Sequence, residues 1–173
     1  VTGRRFEFPD GSLYEVVVAA GTEGGARSEL DVTLPPNSVM PPPHIHPRQQ
    51  ETCVVRDGIL EVLVNGRWQT LAAGSELAIP PGAVHTFRNR SGANVSFRCV
   101  HTPALGAQQY LERLYWLSAM NRIRGRRSLS SALYASLLLD AHRADQVPAS
   151  ASGRIGVRTL ARIARLLRLR VDR

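Results

Sequence analysis

The sequence contains no lysine at all: every one of its 22 basic residues is arginine, a bias that fits a GC-rich coding sequence more than a chemical demand. Its two cysteines, Cys53 and Cys99, are too few for a disulfide scaffold, and reduced thiols in a cytoplasmic protein are expected. No apolar run approaches the roughly 18 residues that would span a bilayer. The opening residues, VTGRRFEFPDGS, carry no apolar core of a secretory signal, which again sets a cytoplasmic expectation. Aromatic residues make up 6% of the chain and none follows Tyr134. The chain beyond Tyr134 therefore has no platform for stacking nucleic-acid bases.

What is present divides in two. With 173 residues, 43% of them hydrophobic and 21% charged, the chain suits one domain, or one domain with an appendage, around a real core. The net charge of +8 is unevenly placed. Residues 1–106 hold nine arginines against ten acids, and residues 107–173 hold thirteen arginines against four. The first part is expected to be mainly β, with short apolar segments at Leu13–Ala19, Ser28–Leu34, Thr52–Val55, Ile59–Val64, Ser75–Ile79, His85–Arg88 and Val95–Val100. Turn chemistry separates them, and both Asp57-Gly58 and Asn65-Gly66 suit tight hairpins. Many short strands with regular turns argue for a closed barrel or a sandwich. Beyond Pro103 the period changes to helical, over 107–122, 129–142 and from about Ile155 onward, with PASASG at 148–153 read as a linker. In the last helix Leu160, Ile163, Ala164 and Leu167 fall on one face and Arg154, Arg158, Arg162 and Arg165 on the other.

One constellation carries chemistry. His44-x-His46-x4-Glu51-x6-Gly58 is followed by Gly74-x5-Pro80-x-Gly82-x2-His85-x3-Asn89. In an extended segment, residues two apart share a face, so His44 and His46 can aim at one centre. Pro41–Pro43 and Pro47 discourage helix on either side. Glu51 adds a hard anionic oxygen, and His85 follows a Pro-Pro-Gly turn that could re-enter the same cavity. Three imidazoles and a carboxylate suit a first-row divalent ion with positions left for water or substrate.

On these two segments the chain resembles a single-domain cupin, in the manner of the quercetin-dioxygenase-like members of that superfamily. The similarity runs over roughly residues 10–105, with one departure: Met40 and its neighbours stand where such proteins often carry a glycine, in a turn that leaves the histidines intact. The resemblance implies a double-stranded β-helix, or jelly-roll, barrel over 1–106 with a C-terminal α-helical extension over 107–173. It implies His44, His46, Glu51 and His85 as metal ligands, and Gly58, Gly74, Pro80, Gly82 and Asn89 in structural roles. The ion would be one of Fe, Mn, Ni, Zn or Co.

Several functions follow from such a site. One is a metal-dependent dioxygenase acting on a small aromatic or enediol substrate, with Glu51 as both ligand and base. Others are a non-redox isomerase or cyclase, or a small-molecule binding protein without catalysis, since the fold does not choose between them. Met40, Cys53, Val55, Ile79, Phe87, Phe97 and Cys99 are expected to face inward, forming an apolar chamber suited to a flat aromatic or polyketide-like ligand. Arg48 and Gln49 could reach a substrate at the mouth, and His101 could join the cavity. Neither cysteine has a general base beside it in the chain. The arginine-rich helices are expected to pack their leucine faces on the barrel or on the partner of a homodimer, rather than to bind nucleic acid or membrane.

Overall fold

A computed structural model describes residues 2–39, 41–124 and 128–171. The strands are β1 (Arg5–Glu7), β2 (Leu13–Val18), β3 (Ser28–Leu34), β4 (Ser38–Val39), β5 (His44–Ile45), β6 (Gln50–Asp57), β7 (Ile59–Val64), β8 (Arg67–Ala72), β9 (Glu76–Ile79), β10 (His85–Asn89) and β11 (Val95–Thr102). Then come helices α1 (Ala107–Ala119) and α2 (Leu129–Ala141), a short strand β12 (Val147–Pro148) and helix α3 (Ala151–Leu166). Two antiparallel sheets form, ordered β1-β2-β3-β11-β6-β9 and β12-β5-β10-β7-β8, with β4 alongside β10. This is the jelly-roll arrangement, mainly β with a helical C-terminal extension.

Strict alternation builds the space between the sheets. Ser28, Leu30, Val32 and Leu34 of β3 point inward, as do Val95, Phe97, Cys99 and His101 of β11. Phe6, Val16, Leu60, Val62 and Phe87 close the same core from the remaining strands. Period-two burial of this kind fixes register, because a one-residue slip would turn every apolar side chain to water.

The two expected hairpins part company. Asn65-Gly66 joins β7 to β8 with both residues at positive φ, +47° and +85°, as a two-residue primed turn requires. Asp57-Gly58 makes no hairpin: β6 pairs with β11 and β9, and β7 pairs with β10 and β8, so this turn carries the chain from one sheet to the other. Gly58 is tightly fitted there, at φ +80° and with room for no side chain, since a Cβ would lie 3.0 Å from the Asn94 carbonyl oxygen.

The extension has a core of its own, with Leu117, Leu133, Leu137, Leu138, Ala161 and Ala164 buried together. Helix α1 links it to the barrel, burying Leu111 in the barrel core with Leu114 and Tyr115 packed against it. The expected linker 148–153 is instead built structure. Val147 and Pro148 pair with Ile45 and His44, and Ser150 caps α3 by accepting from the Gly153 N–H at 3.0 Å. The helix therefore begins at Ala151 rather than near Ile155. Its packed side is the narrow one, with Ala161 and Ala164 buried and Leu160 half-buried, while Ile163 and Leu167 face outward with the arginines. Small residues at 161 and 164 let α3 approach α2 closely, and Arg165 ion-pairs with Asp140 of α2. Among the described residues no helix is long and apolar enough to cross a membrane.

Candidate metal centre

The four expected ligands converge. One ligand atom from each of His44, His46, Glu51 and His85 lies within 4.8 Å of the other three, and all four side chains are buried. The two sheets contribute from opposite sides. His44 of β5 sits directly across from His85 of β10, with their rings 4.1 Å apart between centroids. Glu51 comes from β6 in the other sheet, and its cross-strand neighbour in β11 is His101. The Pro80-Pro81-Gly82 turn re-enters beside the centre, where the Gly82 N–H donates to the His46 carbonyl at 2.9 Å.

The three histidines are oriented alike. Nδ1 of His44 lies 3.0 Å from the Pro42 carbonyl, Nδ1 of His46 2.7 Å from the Asp145 carbonyl and Nδ1 of His85 3.0 Å from the Ala83 carbonyl. A carbonyl oxygen can only accept, so each Nδ1 carries a proton and each ring turns its Nε2 inward, the atom that offers a lone pair when it is unprotonated. The results are a 3.3 Å approach between His44 Nε2 and His46 Nε2, and a 2.9 Å approach between His85 Nε2 and Glu51 Oε2. Such close lone pairs repel unless a proton or a cation lies among them. This donor set therefore fits a divalent first-row ion, and backbone carbonyls holding the distal nitrogens are the support such ligands ordinarily need.

Charge is arranged to match. Burial alone would raise the Glu51 carboxyl, but His101 and the hydrogen bonds of His46 and His85 outweigh it and hold the group well below the usual carboxylate range. His44 is driven well below the ordinary histidine value by burial and by its two histidine neighbours. For His85, burial lowers the value, yet Glu51 and the Ala83 carbonyl together leave it raised. The thiols are held protonated: burial lifts Cys53, and the hydrogen bond to Cys53 together with burial lifts Cys99 well above normal. Neither is a thiolate nucleophile.

A cavity of about 100 Å³ opens beside the centre. Phe8, Tyr14, Leu30, Val32, Phe87, Phe97, Cys99, Tyr110, Leu111 and Leu114 supply its wall together with Glu51 and His101. Of the residues expected to face it, Phe87, Phe97 and Cys99 do so. Cys53, Val55 and Ile79 are packed into the core instead, and Met40 lies outside the described residues. The chamber is apolar, as expected, but of a size for one ring rather than a fused polyketide. Arg48 and Gln49 do not serve its mouth. The Arg48 Nε donates to the Ala144 carbonyl, and the buried Gln49 Nε2 donates to the carbonyls of Pro103 and Ala104. Both tie the His44–Glu51 segment to the chain beyond the barrel.

His101 is in the wall, buried, with Nε2 3.6 Å from Glu51 Oε1. The signal for it was alternation: Val95, Phe97, Cys99 and His101 are the inward residues of one strand, which runs to Thr102 rather than stopping at Val100. Helix α1 and Gln146, which close the cavity from the extension, carried no comparable signal.

Comparison with known proteins bears on the fold that carries this geometry. Residues 30–101 match the cupin domain family. Among solved structures, KdgF from Halomonas sp. is similar at 18% identity with a TM-score of 0.51, over 58% of this chain and 86% of that one. TT1209 from Thermus thermophilus is similar at 21% identity with a TM-score of 0.51, over 57% of this chain and 89% of that one. At such identities the likeness speaks for the fold alone. No curated protein matches the sequence. The family match spans the strands that carry all four clustered residues, and residues 30–101 of this chain are a domain of the cupin superfamily.

Proposed function

We propose that the protein is a metal-dependent enzyme of dioxygenase type, acting on a small substrate through an ion held by His44, His46, Glu51 and His85. The observation that carries the reading is the inward convergence of three Nε2 atoms and one carboxylate, each histidine fixed from behind by a backbone carbonyl. A bound divalent ion would supply Lewis acidity and, if redox-active, a site for oxygen chemistry. The chain's own residues do the rest. Glu51 stays ionised and can take a proton from an acidic C–H or O–H of a substrate seated in the cavity. Phe8, Phe87, Phe97 and Leu111 exclude bulk water and hold an apolar body. Among the described residues no arginine lines the cavity, which disfavours a phosphorylated sugar and supports an aromatic or enediol substrate.

The reading is tested by elemental analysis of untagged protein purified without chelators, beside a His44→Ala/His85→Ala double variant. Close to one equivalent of Fe, Mn, Ni or Co in the parent, lost in the variant, is expected. A parent that takes up no divalent ion on titration overturns it. Oxygen uptake with a small phenolic substrate then separates this chemistry from a non-redox isomerase or cyclase, which would turn over under strict anaerobiosis.

A further inference from the structure

His101 stands apart from the other buried histidines. His44, His46 and His85 each donate to a backbone carbonyl, and His142 Nε2 accepts from Arg113. His101 does neither. Its Nδ1 is buried without a partner, and its Nε2 reaches no closer than 3.6 Å to Glu51 Oε1. Buried polar atoms are almost always paired, so an unpartnered ring nitrogen, on a side chain in the wall of a cavity, points to a partner that arrives with a ligand. The ring lies edge-on to His46 with centroids 5.3 Å apart, at the boundary between the ligand cluster and the apolar wall. An imidazole in its neutral form offers one N–H and one lone pair, so it can meet either a donor or an acceptor on a ligand.

The rest of the cavity defines what could meet it. Its volume of about 100 Å³ is somewhat smaller than a protein cavity that accepts benzene, about 150 Å³. A divalent ion, the Glu51 carboxylate and three neutral imidazoles leave one net positive charge. An apolar wall penalises that charge, and a single anionic ligand cancels it.

We propose, resting on the metal-site reading above, that His101 hydrogen-bonds the ligand of this cavity. That ligand is a small monoanionic oxygen chelate, such as a carboxylate, enolate or phenolate, on an apolar body no larger than one benzene ring.

The test uses the full chain loaded with Co(II), whose visible spectrum reports ligand binding at the ion. Acetohydroxamate is the probe, being small, singly anionic and chelating, and inorganic phosphate is the contrast. Parent protein is expected to hold one equivalent of Co(II) and to bind acetohydroxamate but not phosphate. His101→Phe should keep the Co(II) and weaken acetohydroxamate by about tenfold or more, and His101→Gln should recover part of that loss. If His101→Phe does not fold, His101→Leu is read the same way. Unchanged acetohydroxamate affinity without the imidazole overturns the proposal. So does loss of Co(II) in the substituted protein, because His101 would then hold the ion or the scaffold instead of the ligand. Equal binding of phosphate overturns the ligand class. A parent that takes up no Co(II) is a different failure, and brings down the metal-site reading itself.

Discussion

Asn89 shows how much a single side chain can hold. Its Nδ2 donates to the carbonyls of Leu34, Pro35 and Ala93, and its Oδ1 accepts from the backbone and hydroxyl of Ser91. It is fully buried and joins the end of β10 to the end of β3 in the opposite sheet. Asn89→Ala would strand several of those carbonyls, and an unpaired buried polar group costs about 1–3 kcal/mol. The expected outcome is a Tm lowered by roughly 5–10 °C, at about 2–4 °C per kcal/mol for a chain of this size. Metal uptake by the folded variant should be unchanged, because Asn89 lies at the far end of β10 from His85. A calorimetric scan that leaves Tm in place would refute the role. The clustered residues His44, His46, Glu51 and His85 were legible in the sequence because residue type and spacing both pointed to them. The carbonyls that orient them were not. Pro42 and Ala83 are two residues from their histidines, but Asp145 is 99 residues from His46 and offers a backbone atom, which no side-chain pattern can announce.

At the scale of elements, legibility followed burial. Strands with one face in the core, such as β3, β7 and β11, declare themselves by alternation. β8 does not, because RWQTLA is exposed along most of its length and is held by its hairpin to β7. β12 has two residues, one of them proline, and exists because β5 offers it an edge. The connections were harder still, as Asp57-Gly58 shows. Its glycine serves a crossing between sheets, and its constraint can be separated into two parts. Gly58 and Gly74 share the left-handed backbone, at φ +80° and +85°, but a Cβ at Gly74 would meet open space while one at Gly58 would meet the Asn94 carbonyl and Val95. Gly74→Ala should lose about 1–2 kcal/mol, the penalty of that backbone region for a residue with a Cβ. Gly58→Ala should lose at least twice as much, since the backbone at the start of β11 must move as well. Urea unfolding of the two variants provides the comparison, and equal midpoints would show that backbone strain alone governs both sites.

At the scale of the molecule, barrel and extension meet at the turn after α2. The Asp145 carbonyl takes the His46 Nδ1 proton, β12 pairs with β5, and Arg48 reaches the Ala144 carbonyl. His142, the C-cap of α2, is buried at the same junction, with Tyr110 and Arg113 of α1 on one side and Asp145 on the other. Burial and the Arg113 charge lower its pKa from the ordinary value near 6.5, and Asp145 only partly offsets them. The sign of the pH dependence follows. Below about 6.5 the unfolded chain binds a proton at this histidine while the folded chain still resists it, so acid favours unfolding. The stability associated with a neutral His142 is present above that pH and is lost as pH falls through it toward the lower folded value. His142→Gln, which keeps a polar side chain but cannot titrate, should be less stable than the parent at pH 7.5 and should close that gap as the pH is lowered to 5. The other histidines titrate in both proteins and cancel in the difference. Thermal unfolding of metal-free parent and variant between those pH values measures it, and a gap that stays constant or widens on acidification would exclude His142 as the group that makes this junction sensitive to acid.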